Sequence, residues 1–265
     1  MKLLWLTDIH LDQTDPRTRE AFFHTLRAAH CDAVLLTGDI STSHFLARDL
    51  GELAQACAPR KVYFVLGNHD FYGSSFDHVD RIASSCCQKH TNLHHLGQGE
   101  IIRLGPDTAL IGHRGWADGR AYGGKRAASC FPDQCGISDL RFRSPYPAFR
   151  RMNRLGRESG AYFRKILPYA LSCYSKVIIG THVPLFASAV RFNGKPCDAT
   201  KLPHYVNATA GALVQRVGER FPRKIITVLC GHAHHGNTVK IGNNLEVRLG
   251  EARRGRPSIQ GVLEF

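Results

Sequence analysis

Nine residues of this chain have the types and spacing to do metal and proton chemistry: Asp8, His10, Asp39, Asn68, His69, Asp70, His182, His232 and His234. They fall in five short blocks that read Asp-Ile-His, Gly-Asp, Gly-Asn-His-Asp, Gly-Thr-His and Gly-His-Ala-His. Aspartate offers a hard anionic oxygen, imidazole a borderline nitrogen and asparagine a neutral carbonyl. That mixture suits Mn, Fe or Zn better than Ca. In Asp8-Ile9-His10 and His232-Ala233-His234 the alternate spacing puts both side chains on one side of extended backbone. Glycines at 38, 67, 180 and 231 permit tight turns beside the ligands. Taken singly, each block also describes an ordinary surface turn or a hydrogen-bonded structural histidine. Five in order, each closing an apolar run, form a far more specific pattern.

The apolar runs are the elements that must position these groups. KLLWL precedes Asp8, AVLLT precedes Asp39, KVYFV precedes Asn68, KVIIG precedes His182 and ITVLC precedes His232. Each reads as a buried strand emerging into a turn. In open α/β sheets, ligand sites lie just beyond the carboxyl ends of strands, so distant segments can meet there. Helical periodicity over 17–30, 44–58 and 75–89 separates the first strands, a βαβαβα rhythm that predicts a mainly parallel sheet. Three short strand-like pieces follow, in LHHL, EIIRL and TALIGH. His113 to about Pro145 lacks a clear period. Helices are predicted at 148–172 and 207–220 with a loop at 185–205, and VKIG, NLEVRLG and IQGVLEF close the chain as β segments. No internal repeat or low-complexity segment is present.

The ordered series DIH, GD, GNHD, GTH and GHAH resembles the calcineurin-like metallophosphoesterase superfamily, over most of the chain from Asp8 to His234. The resemblance implies an α/β fold, a four-layer α/β/β/α sandwich of two mixed sheets flanked by helices. It implies two metal ions, with Asp8, His10 and His234 on the first, Asn68, His182 and His232 on the second, and Asp39 bridging them. Mn, Fe or Zn are the expected ions, with Mg and Ni as further candidates. His69 is the counterpart of the family's proton donor, and Asp70 of the carboxylate that orients it. The implied reaction is hydrolysis of phosphodiester or phosphomonoester bonds, with a metal-bridging hydroxide attacking phosphorus and His69 protonating the leaving oxygen.

The 265 residues suffice for a single domain spanning 1–265, with a cap or lid insertion expected at about 113–165. The net charge of +13 favours anionic partners, chiefly small-molecule phosphate esters, with nucleic acid as a further candidate. A nuclease of the same chemistry is the alternative activity, although no long basic arm or interleaved aromatic–basic stretch appears. A non-catalytic scaffold is the third reading, opposed by the complete ligand set. The nine cysteines are scattered without a C-x-x-C motif, and the N-terminal run reads as a strand and not as a signal peptide. A cytoplasmic protein with reduced thiols is expected, and no apolar run reaches the roughly 18 residues of a membrane span. Oligomeric state leaves no readable signature.

Substrate choice is expected to lie in the loop GHRGWADGRAYGGKR. Trp116 could stack on a base or cover an apolar leaving group, Arg114, Arg120, Lys125 and Arg126 could meet a second phosphate, and His113 could reach the site. The adjacent His94 and His95 are read as structural, and His235 as exposed.

Overall fold

A computed structural model describes residues 1–121, 132–143 and 145–265; Lys125 and Arg126 lie outside them. The strands are β1 (Lys2–Leu6), β2 (Ala33–Thr37), β3 (Lys61–Val65), β4 (Leu93–His95), β5 (Ile102–Arg103), β6 (Thr108–Gly112), β7 (Lys176–Gly180), β8 (Arg191–Phe192), β9 (Lys195–Pro196), β10 (Ile225–Cys230), β11 (Asn237–Ile241), β12 (Leu245–Leu249) and β13 (Ile259–Glu264). The helices are α1 (Pro16–Ala28), α2 (Leu46–Cys57), α3 (Phe76–Lys89), α4 (Pro132–Gly136), α5 (Pro145–Cys173), α6 (Leu202–Tyr205) and α7 (Ala208–Arg220). No helix among the described residues is long and apolar enough to cross a membrane.

Two mixed sheets form, in the orders β13-β1-β2-β3-β4 and β11-β12-β10-β7-β6-β5. Within them β1 to β4 run parallel, as do β6, β7, β10 and β12, while β13, β11 and β5 pair antiparallel at the edges. The central strands are continuous apolar runs because both of their faces are buried. In β2, Val34 and Leu36 pack towards α1, α2 and α3, whereas Ala33 and Leu35 face the second sheet. In β7, Val177 and Ile179 pack towards α5 and α7, whereas Ile178 faces the first sheet. This alternation builds three apolar layers between four layers of structure, the α/β/β/α sandwich expected from the motif series.

Local signals set the helix starts. Asp15 caps α1 by accepting from the amides of Arg17 and Thr18, with Pro16 in the first turn. Asn207, the acceptor position of a glycosylation sequon, is buried and caps α7 through Ala210 N. The predicted 185–205 loop contains the β8–β9 hairpin and α6. Within the expected insertion over 113–165, residues from Pro145 onward belong to α5, whose Phe163, Ile166 and Leu167 pack into the core under the second sheet.

Trp116 is not a lid. It is 3% exposed and sits in the first core, edge-on to Phe71 and Phe76 with ring centroids 6.0 and 5.1 Å away. A large aromatic ring there contributes area to the core and has no open face for a substrate. Trp116→Ala should therefore cost about 3–5 kcal/mol of stability, and Trp116→Phe far less. Urea unfolding checks this, and unchanged stability in the alanine variant would return Trp116 to the surface.

Candidate metal centre

The metal-ligand blocks all leave parallel strands at the same edge, after β1, β2, β3, β7 and β10. Among the described residues, the non-glycine positions with positive φ are Asp8 (48°), His10 (38°), Asp39 (52°), Asn193 (50°), His232 (75°) and His234 (61°). All but Asn193 are expected ligands. Left-handed backbone costs an L-residue about 1–2 kcal/mol, so surrounding structure must hold it. The holding bonds are present. Asp8 N donates to Gly38 O, His10 N to Asp39 O and Gly231 N to His182 O, at 3.0, 3.1 and 2.9 Å. Glycine at 67 and 231 is required by close approach. A Cβ on Gly67 would lie 2.2 Å from Asp39 Oδ1, and one on Gly231 would lie 2.0 Å from Asp8 Oδ2.

The first cluster joins Asp8, His10, Asp39 and His234, whose ligand atoms all lie within 4.8 Å of one another. His234 Nε2 is 3.2 Å from Asp8 Oδ1 and 3.2 Å from His10 Nε2. His10 Nε2 is in turn 3.8 Å from Asp39 Oδ2. Asp8 is steadied by Thr7 Oγ1 at 2.6 Å and by His232 N at 3.0 Å.

In the second cluster the position of each proton decides the chemistry. His182 Nδ1 lies 2.9 Å from the Thr37 carbonyl, which can only accept, so this nitrogen carries the proton. A bare lone pair is left on Nε2, 3.0 Å from Asn68 Oδ1 and 3.2 Å from Asp39 Oδ1. His232 Nε2 meets the His204 carbonyl at 3.1 Å, which leaves the Nδ1 lone pair 2.8 Å from the same Asn68 oxygen. The Asn68 amide is oriented by its other end, because Nδ2 donates to Asp133 Oδ1 at 2.9 Å. Lone pairs of two imidazoles, an amide and a carboxylate thus converge without a proton between them. Such a group is repulsive until a cation sits among its members, and its N/O donor set fits a transition-metal ion. Asp39 turns one oxygen to each cluster.

Burial dominates the electrostatics. It pushes His10 down to about 4 despite the Asp8 charge, and His182 down to about 3. His69 is pushed down to about 2, first by burial and then by His10 and Arg254. Burial raises Asp39 well above the usual carboxylate range, with Asp8 and Asp70 adding to it. For Asp8, burial also works upward, yet the hydrogen bond with His234 and the surrounding histidine charges carry it below that range.

His69 lines the cleft, half-buried, edge-on to His10 at 4.8 Å and tilted over Tyr72 at 4.3 Å. The expected role of Asp70 is corrected here. Its carboxylate does not touch the His69 ring, whose Nδ1 is buried without a partner. Asp70 Oδ1 accepts from the amides of Ile40 and Ser41, both at 2.9 Å, and Oδ2 from Gly67 N at 2.7 Å. It braces the β2 and β3 loops against each other, and burial pushes it up to about 7 against those donors.

The cleft over the clusters, about 290 Å³, is lined by His69, Tyr72, Asp133, Phe192, Tyr205, His232, His234, His235 and Arg254 among others. None of the four expected substrate residues among those described lines it. Arg114 Nη1 pairs with Asp80 at 2.9 Å, and its guanidinium lies over the Phe71 ring. His113 Nδ1 accepts from Gly115 N, and its ring packs on Tyr162. Arg120 is exposed and bonded to Asn153. Trp116 lies in the core. The expectation of an exposed His235 is also corrected, because it packs edge-on to Phe192 at 4.8 Å inside the cleft. Of the residues missed, Tyr72 directly follows the GNHDF run and Arg254 belongs to a basic run, so both had some signal. Asp133 and Phe192 had none.

The family profile described as calcineurin-like phosphoesterase matches residues 1–236. No curated protein matches the chain by sequence. Among solved structures, the fold is similar to a phosphopantetheinyl hydrolase of Mycobacterium tuberculosis, at TM-score 0.61 and 11% identity over 96% of this chain and 90% of that one. It is also similar to a dimetal phosphatase of Danio rerio, at TM-score 0.55 and 15% identity over 95% and 87% of the two chains. A Thermus thermophilus protein follows at TM-score 0.50 and 14% identity over 94% and 88%.

Two outcomes are expected. Gly67→Ala and Gly231→Ala should each weaken metal uptake about 10–100-fold, because the new methyl displaces a ligand carboxylate. Equilibrium dialysis with elemental analysis measures it, and native uptake by both variants would refute the close packing. The second concerns acid stability of the metal-free protein. His10 and His182, with His95 at about 4, His113 at about 3 and His204 at about 4, are depressed by burial below their ordinary 6.5. Their contribution is complete above 6.5 and is lost as pH falls towards the folded values, since only the unfolded chain then binds protons. Asp39 and Asp70, raised by burial, act oppositely between 3.8 and their folded values. The histidines outnumber them, so the urea midpoint should fall from pH 7 to pH 5, by at most about 1.4 kcal/mol per pH unit for each net proton. A midpoint that stays level or rises on acidification would contradict this balance.

Proposed function

Because the chain belongs to the calcineurin-like phosphoesterase family, we propose that it is a dinuclear metal-dependent hydrolase of small-molecule phosphate esters, diesters and monoesters alike. The observation that carries this reading is the pair of adjoining donor clusters with Asp39 shared between them: Oδ2 lies 3.8 Å from His10 Nε2, and Oδ1 lies 3.2 Å from His182 Nε2. Asp8, His10 and His234 would hold one ion, Asn68, His182 and His232 the other, and Asp39 both. Mn, Fe or Zn suit these donors best. When bound, two such ions supply Lewis-acid activation of water and of the phosphoryl oxygens.

The remaining roles belong to the chain's own side chains. His69 borders the cleft beside His10 and Asp39, and would protonate the leaving oxygen. Burial and the nearby Arg254 charge disfavour its protonated form in the free protein. A bound phosphate anion favours its protonated form, so substrate itself would arm the acid. Arg254 brings a positive charge to the same cleft, where an anionic ester must enter. Phe192, Tyr205 and His235 pack together and give part of the cleft lining an aromatic character. Asp70 supports the reaction through the backbone it braces.

Metal-free protein reloaded with Mn, Fe or Zn should take up two ions and hydrolyse a bis-aryl phosphate, and chelation should abolish turnover. Failure to turn over any monoester, diester or cyclic nucleotide with any of these ions would sink the proposal. A salt-dependent gel shift with DNA or RNA, without turnover of small esters, would favour the nuclease alternative. His69→Ala should retain both ions and lose about 10²–10⁴ in rate on alkyl esters, and less on activated aryl esters. Equal losses on the two would remove the proton-donor role.

A further inference from the structure

We infer that Asp133, on the short helix α4 outside every metal-binding block, is a positioning residue that fixes the Asn68 amide so that its oxygen faces the second metal. This rests on the dinuclear reading above. An asparagine side chain has two nearly isosteric ends, and only the carbonyl oxygen is a metal ligand. Rotated by half a turn, Asn68 would aim two N–H donors at the cation. Asp133 removes that freedom. Its Oδ1 accepts from Asn68 Nδ2 at 2.9 Å and from the Tyr72 hydroxyl at 2.6 Å, and Tyr72 Oη lies 3.2 Å from the same Nδ2. An ionised carboxylate can only accept, so it tolerates only the amide nitrogen at that contact.

Asp133 is 6% exposed, and its segment is stitched to the loop that follows Asn68. Gly73 N donates to Gly136 O at 2.8 Å, Ser138 N to Ser74 O at 2.9 Å, and Phe76 N to Asp139 Oδ2 at 2.8 Å. The carboxylate therefore arrives on backbone that is itself fastened to the GNHD loop. Its negative charge beside the second cluster further favours a cation there. Groups that orient a ligand in this way are typically worth about 10–100-fold in metal affinity.

The test is a calorimetric Mn²⁺ titration of the metal-free full-length protein. Wild type should bind two ions. Asp133→Ala should bind the first as wild type does and the second about tenfold more weakly or worse. Asp133→Asn, whose carbonyl still accepts from Asn68, should recover most of that loss. Asp133→Ser reads the same way as alanine if the alanine variant does not fold. Two ions in wild type with unchanged second-site affinity in the alanine or serine variant would overturn this assignment alone. A wild type that binds one ion would overturn the dinuclear reading, and this inference with it.

Discussion

The interaction on which the rest of the architecture depends is the crowding of lone pairs at one edge of two facing sheets. Asp39, Asn68, His182 and His232 form a chain of acceptor atoms, each within about hydrogen-bonding distance of the next, with no proton between them. The N–H groups that could have supplied protons are engaged elsewhere: His182 gives its own to the Thr37 carbonyl and His232 to the His204 carbonyl. Such an arrangement is unfavourable as it stands and favourable around cations. It persists because the chain over-determines it, through left-handed backbone at five ligands, glycines that admit ligand side chains, and backbone bonds that run past the strand ends.

The Gly-Asn-His-Asp block illustrates how one turn divides its labour. Asn68 faces the second cluster, His69 faces the cleft, and Asp70 faces inward. The inward carboxylate collects the amides of Ile40, Ser41 and Gly67, which ties the loop after β2 to the loop after β3. Asp39, on the first of these loops, accepts from His69 N on the second at 2.9 Å. Bracing and chemistry are therefore inseparable here. A change at Asp70 would act on the metal centre through backbone placement, without any contact with the His69 ring.

The cleft walls come from segments distant in sequence. Arg254 lies in the loop between β12 and β13, Phe192 in the β8–β9 hairpin, Tyr205 at the end of α6, and Asp133 in α4. Each belongs to a loop or short element anchored on the two sheets, which hold the candidate ligand edge in place. The loop after His113, expected to choose the substrate, serves packing in its described residues. Trp116 fills the first core, and Arg114 offers its carbonyl to His182 N at 3.1 Å.

The sequence by itself determined the strands and the order in which the five candidate ligand blocks close them. Apolar runs of strand length, each closed by a ligand type, carry their meaning locally, because strand burial and the turn after a strand depend on neighbours in the chain. That Asp8, His10, Asp39, Asn68, His182, His232 and His234 each follow a strand end was legible for that reason, whereas the four-layer fold was legible through the resemblance of the motif series. Only the tertiary structure decided which groups stand between the ligands and the solvent. Asp133 reaches Asn68 across 65 positions, and His204 meets His232 across 28. Trp116 turns inward because Phe71 and Phe76 offer it an apolar seat, and Asp70 turns away from His69 because three backbone N–H groups outweigh one imidazole. These are contests between contacts that no local spacing records. They are settled by which surfaces the two sheets bring face to face.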